Sequence, residues 1–284
     1  MTRASGARRA APLLLPAYAW LALAVFLPLS AMAFFSLVET IPRAGEPWVP
    51  TLAHYRAFAD GEVYRTLLLR SLRLGIEVTV ICLVVGVPCA IALARAFAGR
   101  ARETLFLLVI LPFWSNALVR AFSWAIVLRG GGLLETGLDA ALPFDVRIDL
   151  VHSYPAIVIG LVHAYLPYAV LTAYLAVQGI DDALIEAARG LGAGRLQALA
   201  RVVLPLAAPG IAAGAVLVFV PVVGSFMEPR VLGGTAGTVY GTLIEDQFTA
   251  VYNWPLGAAL SFVLLAVVLL ALALGAPVLR RTGA

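Results

Sequence analysis

The 284-residue sequence contains no lysine: all 20 of its basic residues are arginine. A phosphate-binding loop of the form G-x-x-x-x-G-K-[ST] needs that lysine to reach the terminal phosphates, so the chain cannot hold ATP in this way. Charge of either sign is scarce, at 13% of residues against roughly 25% in a soluble domain. The three histidines, His54, His152 and His163, are not at ligand spacing and no H-E-x-x-H occurs, so no metal site is expected. No serine near a span has a histidine and an aspartate on its own side, so no catalytic residue is expected either. The two cysteines, Cys82 and Cys89, would share a helix face about 10 Å apart along the axis. That is too far for a disulfide, and both read as small, buried apolar residues. The glycine run Gly130–Gly132 behind Arg129 reads as a tight turn.

What the sequence has in abundance is apolar surface: 62% hydrophobic residues and a mean hydropathy of +0.96. Such a chain belongs in a bilayer, and hydrophobic runs from end to end leave room for one membrane domain over 1–284. A pI of 9.3 could suggest nucleic acid, but the arginines stand at the ends of apolar runs and form no basic face. Runs long enough to span number six: 12–37, 67–94, 104–128, 153–177, 209–227 and 255–279. The expected fold class is therefore an all-α integral membrane protein with six transmembrane helices. Arginine collects on the cytoplasmic side, which places both termini inside with Arg3, Arg8, Arg9, Arg95, Arg100, Arg102, Arg189, Arg195, Arg201, Arg280 and Arg281. The external segments then hold most of the acids, among them Glu46, Asp145, Glu228, Glu245 and Asp246. The "AMA" at Ala31–Ala33 resembles a secretory cleavage site, but the apolar run continues through Phe34, Phe35 and Leu37, so an uncleaved first span is preferred.

One cytoplasmic segment, 181–208, is too polar and too long for a simple turn. Asp181 and Asp182 suit the N-terminus of a short helix carrying Leu184, Ile185, Ala188 and Leu191 on one side and breaking at Gly192–Gly194. A second helix from Arg195 would align Leu196, Leu199, Val203 and Leu206 in one apolar stripe. Pro205 and Pro209 would lead into the fifth span. Two uses fit: a hairpin lying on lipid headgroups, or a knob whose small residues Ala187, Ala188 and Gly192 let a partner protein approach closely.

Glu186, Ala187, Ala188, Gly192, Val202, Leu204 and Pro205 stand at the spacing E-A-A-x-x-x-G-x9-I-x-L-P, with Val202 in the isoleucine place. This resembles the signature loop of permease subunits of bacterial binding-protein-dependent ABC importers. The stretches Leu111–Trp124, His163–Asp181, Leu232–Gly234 and Asn253–Ala259 are similar to the spermidine/putrescine-type branch, with Pro112, Phe113, Trp114, Leu118 and Arg120 the most telling. The resemblance implies a type I ABC importer permease fold in the bacterial inner membrane. It implies that Glu186, Ala187, Ala188, Gly192, Leu204 and Pro205 meet a cytoplasmic ATPase. The implied partners are a homologous second permease subunit, an ATPase dimer and a periplasmic substrate-binding protein, besides the lipid bilayer. ATP and magnesium would sit on the ATPase, with no cofactor on this chain.

A desolvated polyamine calls for carboxylates and aromatic faces, each cation–aromatic contact contributing about 0.5–2 kcal/mol. The substrate-path candidates are Glu77, Trp114, Arg120, Glu228 and Asp246, because a charge placed within a membrane is a functional candidate. Two of them have competing readings: Glu77 lies four residues after Arg73 and could be neutralised on its own helix, and Arg120 could anchor the third span. Arg230 stands where polyamine permeases often carry an acid, which leaves other organic solutes or iron chelates open as cargo. An ion-gradient-driven secondary transporter is the alternative of a different class; it would call for paired broken helices and an internal repeat.

Overall fold

The structure, a computed structural model, describes residues 3–41, 47–143 and 147–281. Glu46 and Asp145, expected among the external acids, lie outside the described residues. Among the described residues the chain is helical, its one β-type pairing being the bridge between Val38 and Pro50. Contacts group into two compact units, residues 1–62 with 244–265 and residues 63–243 with 266–284.

In the first unit, α1 (Arg3–Ser36) exposes apolar side chains all round, with Trp20 and Phe26 each 69% exposed. A helix hydrophobic on every side faces lipid. The chain then turns back, and the short α2 (Ala53–Asp60) is stitched to the end of α1 by a Tyr55 hydroxyl donating to Ser36 Oγ at 2.9 Å. Phe34 packs edge-on against Trp48, and Phe35 against Trp254.

The second unit contains α3 (Glu62–Arg95), α4 (Gly99–Ile110), α5 (Ala117–Leu128), α6 (Leu133–Ala141), α7 (Tyr154–Gln178), α8 (Asp182–Gly190), α9 (Arg195–Ala198), α10 (Leu204–Val223) and α11 (Met227–Gly233). The helices α12 (Tyr240–Thr249) and α13 (Trp254–Arg281) belong partly to each unit. Among the described residues, five helices are long and apolar enough to cross a membrane, and a bent pair makes the sixth if counted as one span.

That bent pair corrects the third span, expected as one helix over 104–128. Gly99–Trp114 and Ala117–Leu128 meet at 99°. Pro112 sits in a tight 3-10 turn, Leu111–Trp114, and the Ser115 hydroxyl donates to the Pro112 carbonyl at 2.8 Å. Asn116 then caps α5, its Oδ1 accepting from the Leu118 N–H at 2.8 Å. A proline turn followed by an N-cap restarts the helix in a new direction.

The fifth span is corrected in the opposite sense: the second loop helix begins at Arg195 as expected but runs on into the span. One helical run extends from Arg195 to Val223, interrupted only by a π-type turn over Leu199–Val203. Pro205 lacks an N–H and its ring would press on the carbonyl four residues back, so a widened turn just ahead of it relieves the strain. The extra residue in that turn rotates the helix face. The expected stripe therefore divides: Val203 is buried, whereas Leu196 is 80% exposed and Leu206 half exposed.

The core of this unit joins α3, α7 and α10. Leu74, Val78 and Cys82 pack with Ile157, Leu161, Ala169, Val218 and Val222. Nearer the 181–208 loop, Ala90, Leu93 and Ala94 pack with Val170, Ala173, Val177, Ile180, Val203 and Ala207. Cys82 is buried as expected, but Cys89 is exposed, a correction explained by a helix with one face outward, where apolar residues suit lipid. Gly210 and Gly214 let α10 close on α7: a Cβ at Gly210 would strike the Ala176 side chain, and one at Gly214 the Thr172 hydroxyl. Lipid supplies no hydrophobic drive between helices, so close packing through small residues takes its place.

Candidate functional site

The loop helix α8 is built by its ends. Asp181 accepts from the Ala183 N–H at 2.9 Å, and Asp182 in the first turn and Arg189 in the last both complement the helix dipole. At the other end the Gly192 N–H bonds to the Arg189 carbonyl at 2.9 Å and the Ala193 N–H to the Ala188 carbonyl at 3.0 Å. This pair of bonds closes a helix through a left-handed residue, and Gly192 has φ +88°. A Cβ there would touch nothing within 4 Å, so glycine is required by backbone conformation and not by space.

What α8 presents outward is a mix of charge and apolar surface. Glu186 and Ala187 are exposed, and among the described residues Glu186 makes no ion pair. Leu191 is 91% exposed. A cleft of about 260 Å³ between the two arms of the loop is lined by Ala188, Leu191, Gly192, Ala193, Gln197, Ala198, Arg201 and Val202. Leu204 and Pro205 lie outside it, at the start of α10.

One residue that holds the loop is not among the sequence candidates. Arg95, taken there only as an orientation signal, ends α3 and reaches the loop: its Nη1 pairs with Asp182, and its Nη2 donates to the carbonyls of Val177 at 2.8 Å and Ile180 at 2.9 Å. No spacing rule could reveal contacts across 82 to 87 residues.

The substrate-path candidates are dispersed. Glu77 accepts from Arg73 Nε at 2.7 Å, one turn away, and from the Tyr154 hydroxyl, so it is neutralised on its own helix and by α7. Trp114 stands at the elbow of the bent span, 89% exposed. Arg120 Nη1 reaches the Pro112 carbonyl at 3.4 Å and Ser115 Oγ at 3.5 Å, spanning the elbow, while its Nε is buried without a partner. It borders a cleft of about 330 Å³ with Ser115, Ser123, Trp124 and His163. Asp246 lies in α12, in the first unit.

Glu228, in α11 packed against α5 and α7, is only 6% exposed. Burial pushes its carboxyl above the ordinary 4.5, with Arg120 acting in the opposite direction. The folded chain thus binds this proton more tightly than the unfolded chain. Its contribution to stability is full below about 4.5 and is lost as pH rises through the folded value. Glu228→Gln is therefore expected to raise the melting temperature in detergent at pH 8 but not at pH 4. Equal shifts at both pH values would mean that burial does not raise this carboxyl's pKa.

The family model described as binding-protein-dependent transport system inner membrane component matches residues 86–281. The spermidine/putrescine transport system permease protein PotB of Escherichia coli (strain K12) is 37% identical over 245 residues, covering 86% of this chain and 88% of PotB. Among solved structures, a bacterial ABC transporter involved in import of the acidic polysaccharide alginate matches with a TM-score of 0.75 at 18% identity, over 95% of this chain and 94% of that one. The methionine ABC transporter MetNI, in inward-facing conformations, matches with a TM-score of 0.60 at 20% identity, over 78% of this chain and 99% of that one. At these identities the structural likeness concerns the fold.

Proposed function

Because this chain belongs to the family of binding-protein-dependent transport system inner membrane components, and so is the multi-pass permease subunit of an ABC importer in the bacterial inner membrane, we propose that its cargo is a polyamine of the spermidine/putrescine class. The observation that carries the substrate class is the 37% identity to PotB over most of both chains. The chain is a non-catalytic membrane subunit, and in our reading ATP and magnesium bind a separate cytoplasmic ATPase dimer. The sequence supports this, since it has no lysine for a phosphate loop.

The single domain 1–284, with both termini cytoplasmic, pairs with a homologous second permease subunit and receives cargo from a periplasmic binding protein. Glu186, Ala187, Ala188 and Gly192 dock on the ATPase, and Leu204 and Pro205 pass its motion into α10. An exposed acid outside any internal pair, on a capped helix with small neighbours, supports that role. In the second unit, Glu228 and Trp114 meet the cargo; Asp246, in the first unit, is a candidate in its own right. Glu77 contributes less, because Arg73 and Tyr154 already hold it, and Arg120 braces the elbow.

The test is ATP-dependent uptake of radiolabelled spermidine by proteoliposomes holding the complex purified through this chain, with its binding protein outside. Saturable uptake, competed by putrescine, is expected. A second reading, a different organic solute or an iron chelate, is favoured by Arg230 next to Glu228 in "GSFMEPRVLGG". No spermidine uptake by a complex whose binding protein stimulates ATP hydrolysis would establish it and reject the polyamine assignment.

A further inference from the structure

The three residues between α7 and α8, Gly179 to Asp181, are the natural hinge for any movement of the loop. Carbonyls at a helix end have free acceptor capacity, and here those of Val177, which also accepts the Ile180 N–H at 3.3 Å, and of Ile180 in the linker both accept from one guanidinium nitrogen of Arg95. The other terminal nitrogen holds Asp182, in the first turn of α8. One side chain from α3 thus grips both sides of the hinge. Beneath it, Ala90, Leu93 and Ala94 of α3 pack on Val177 and Ile180, and the partly buried Ile185 of α8 joins the same cluster.

The fork geometry matters. A planar guanidinium can present separate N–H groups to a carboxylate and to two carbonyls at once, whereas an ammonium is a point charge on a flexible stem. The Asp182 contact is the weaker part, because Asp182 is 77% exposed and exposed ion pairs contribute little. The carbonyl contacts are sheltered by Arg95, whose side chain is 24% exposed.

We propose that Arg95 is a positioning residue that locks the α7–α8 hinge to the cytoplasmic end of α3, so that movement of α8 is transmitted into α3 as well as into α10. The consequence is a second line from the loop to the membrane. It leads along the 34-residue α3 toward Glu77 and toward Arg70, whose Nη2 donates to the Ala236 carbonyl at 2.6 Å. This inference rests on the reading of α8 as the ATPase-docking helix.

The experiment uses the full complex in proteoliposomes and measures three quantities: co-purifying ATPase, spermidine taken up per ATP hydrolysed, and deuterium exchange of residues 182–190. Arg95→Met is expected to keep the ATPase, speed exchange over 182–190 and lower uptake per ATP about tenfold, as for loss of a charge-assisted hydrogen bond. Arg95→Lys should assemble normally and lower the ratio by about threefold, while Asp182→Asn should stay within about twofold. Wild-type exchange and uptake per ATP in Arg95→Met would overturn the proposal, as would loss of the ATPase itself, which would make Arg95 a scaffold for docking. If Arg95→Met yields no folded permease in the membrane, Arg95→Lys decides: an unchanged ratio contradicts the required fork. Glu186→Lys run in parallel separates the two readings. If it leaves the ATPase bound, the docking assignment of α8 has failed, whereas the exchange result still reports whether Arg95 holds the hinge.

Discussion

Replacing Glu186 with lysine is expected to strip the ATPase from the purified complex and to reduce ATP-driven uptake to background, with the variant chain present in the membrane at normal level. Glu186 is exposed and, among the described residues, has no ion-pair partner, so the fold does not depend on it. A charge reversal there acts on whatever α8 meets. Truncating one partner of a hydrogen-bonded interfacial charge pair costs about 2–5 kcal/mol, and reversal adds repulsion. The measurements are the ATPase-to-permease ratio on a gel and uptake by proteoliposomes. Retention of the ATPase with full uptake would remove α8 from the docking surface.

The largest effect on the folded state is expected at Gly214. It faces α7 where a Cβ would strike the Thr172 hydroxyl and approach the Ala169 backbone. Leucine there would force α7 and α10 apart, and overpacking a tight interface costs typically 1–3 kcal/mol or more. Gly214→Leu is expected to yield little monodisperse protein after detergent extraction. Ala213→Leu, one residue away on an exposed position, should extract like the parent. Equal yields for the two would show that α7 and α10 do not meet through these small residues.

How far the sequence could be read depends on what kind of force acts at each place. Continuous apolar runs give spans directly, because a helix in hydrocarbon must satisfy its backbone internally. The α8 helix was legible too, since Asp181, Asp182 and Gly192 are local signals whose partners lie within a few residues. The elbow at Pro112–Asn116 was not. Hydropathy averages over a window, and a proline, a serine and an asparagine among apolar residues do not lower it enough to show a 99° break. A broken helix is also what the ion-driven alternative calls for, but the family match makes this chain an ABC importer permease.

The π-type turn at Leu199–Val203 was hidden for another reason. Periodicity assumes 3.6 residues per turn, and one wider turn moves every later residue to a different face. The candidate path was the least legible part. Charge and aromatic character selected Glu77, Trp114, Arg120, Glu228 and Asp246, but long-range contacts decide which are satisfied. Tyr154, 77 residues from Glu77, makes such a contact, and the charge of Arg120 acts on Glu228 from 108 residues away in sequence.

The central claim is that α8 meets a protein in water and not a lipid surface. A photoreactive amino acid placed at Leu191, 91% exposed at the end of α8, tests it in intact inner-membrane vesicles. The account predicts an ultraviolet-dependent adduct with a cytoplasmic ATPase, identified by mass spectrometry. Adducts with phospholipid alone would contradict it.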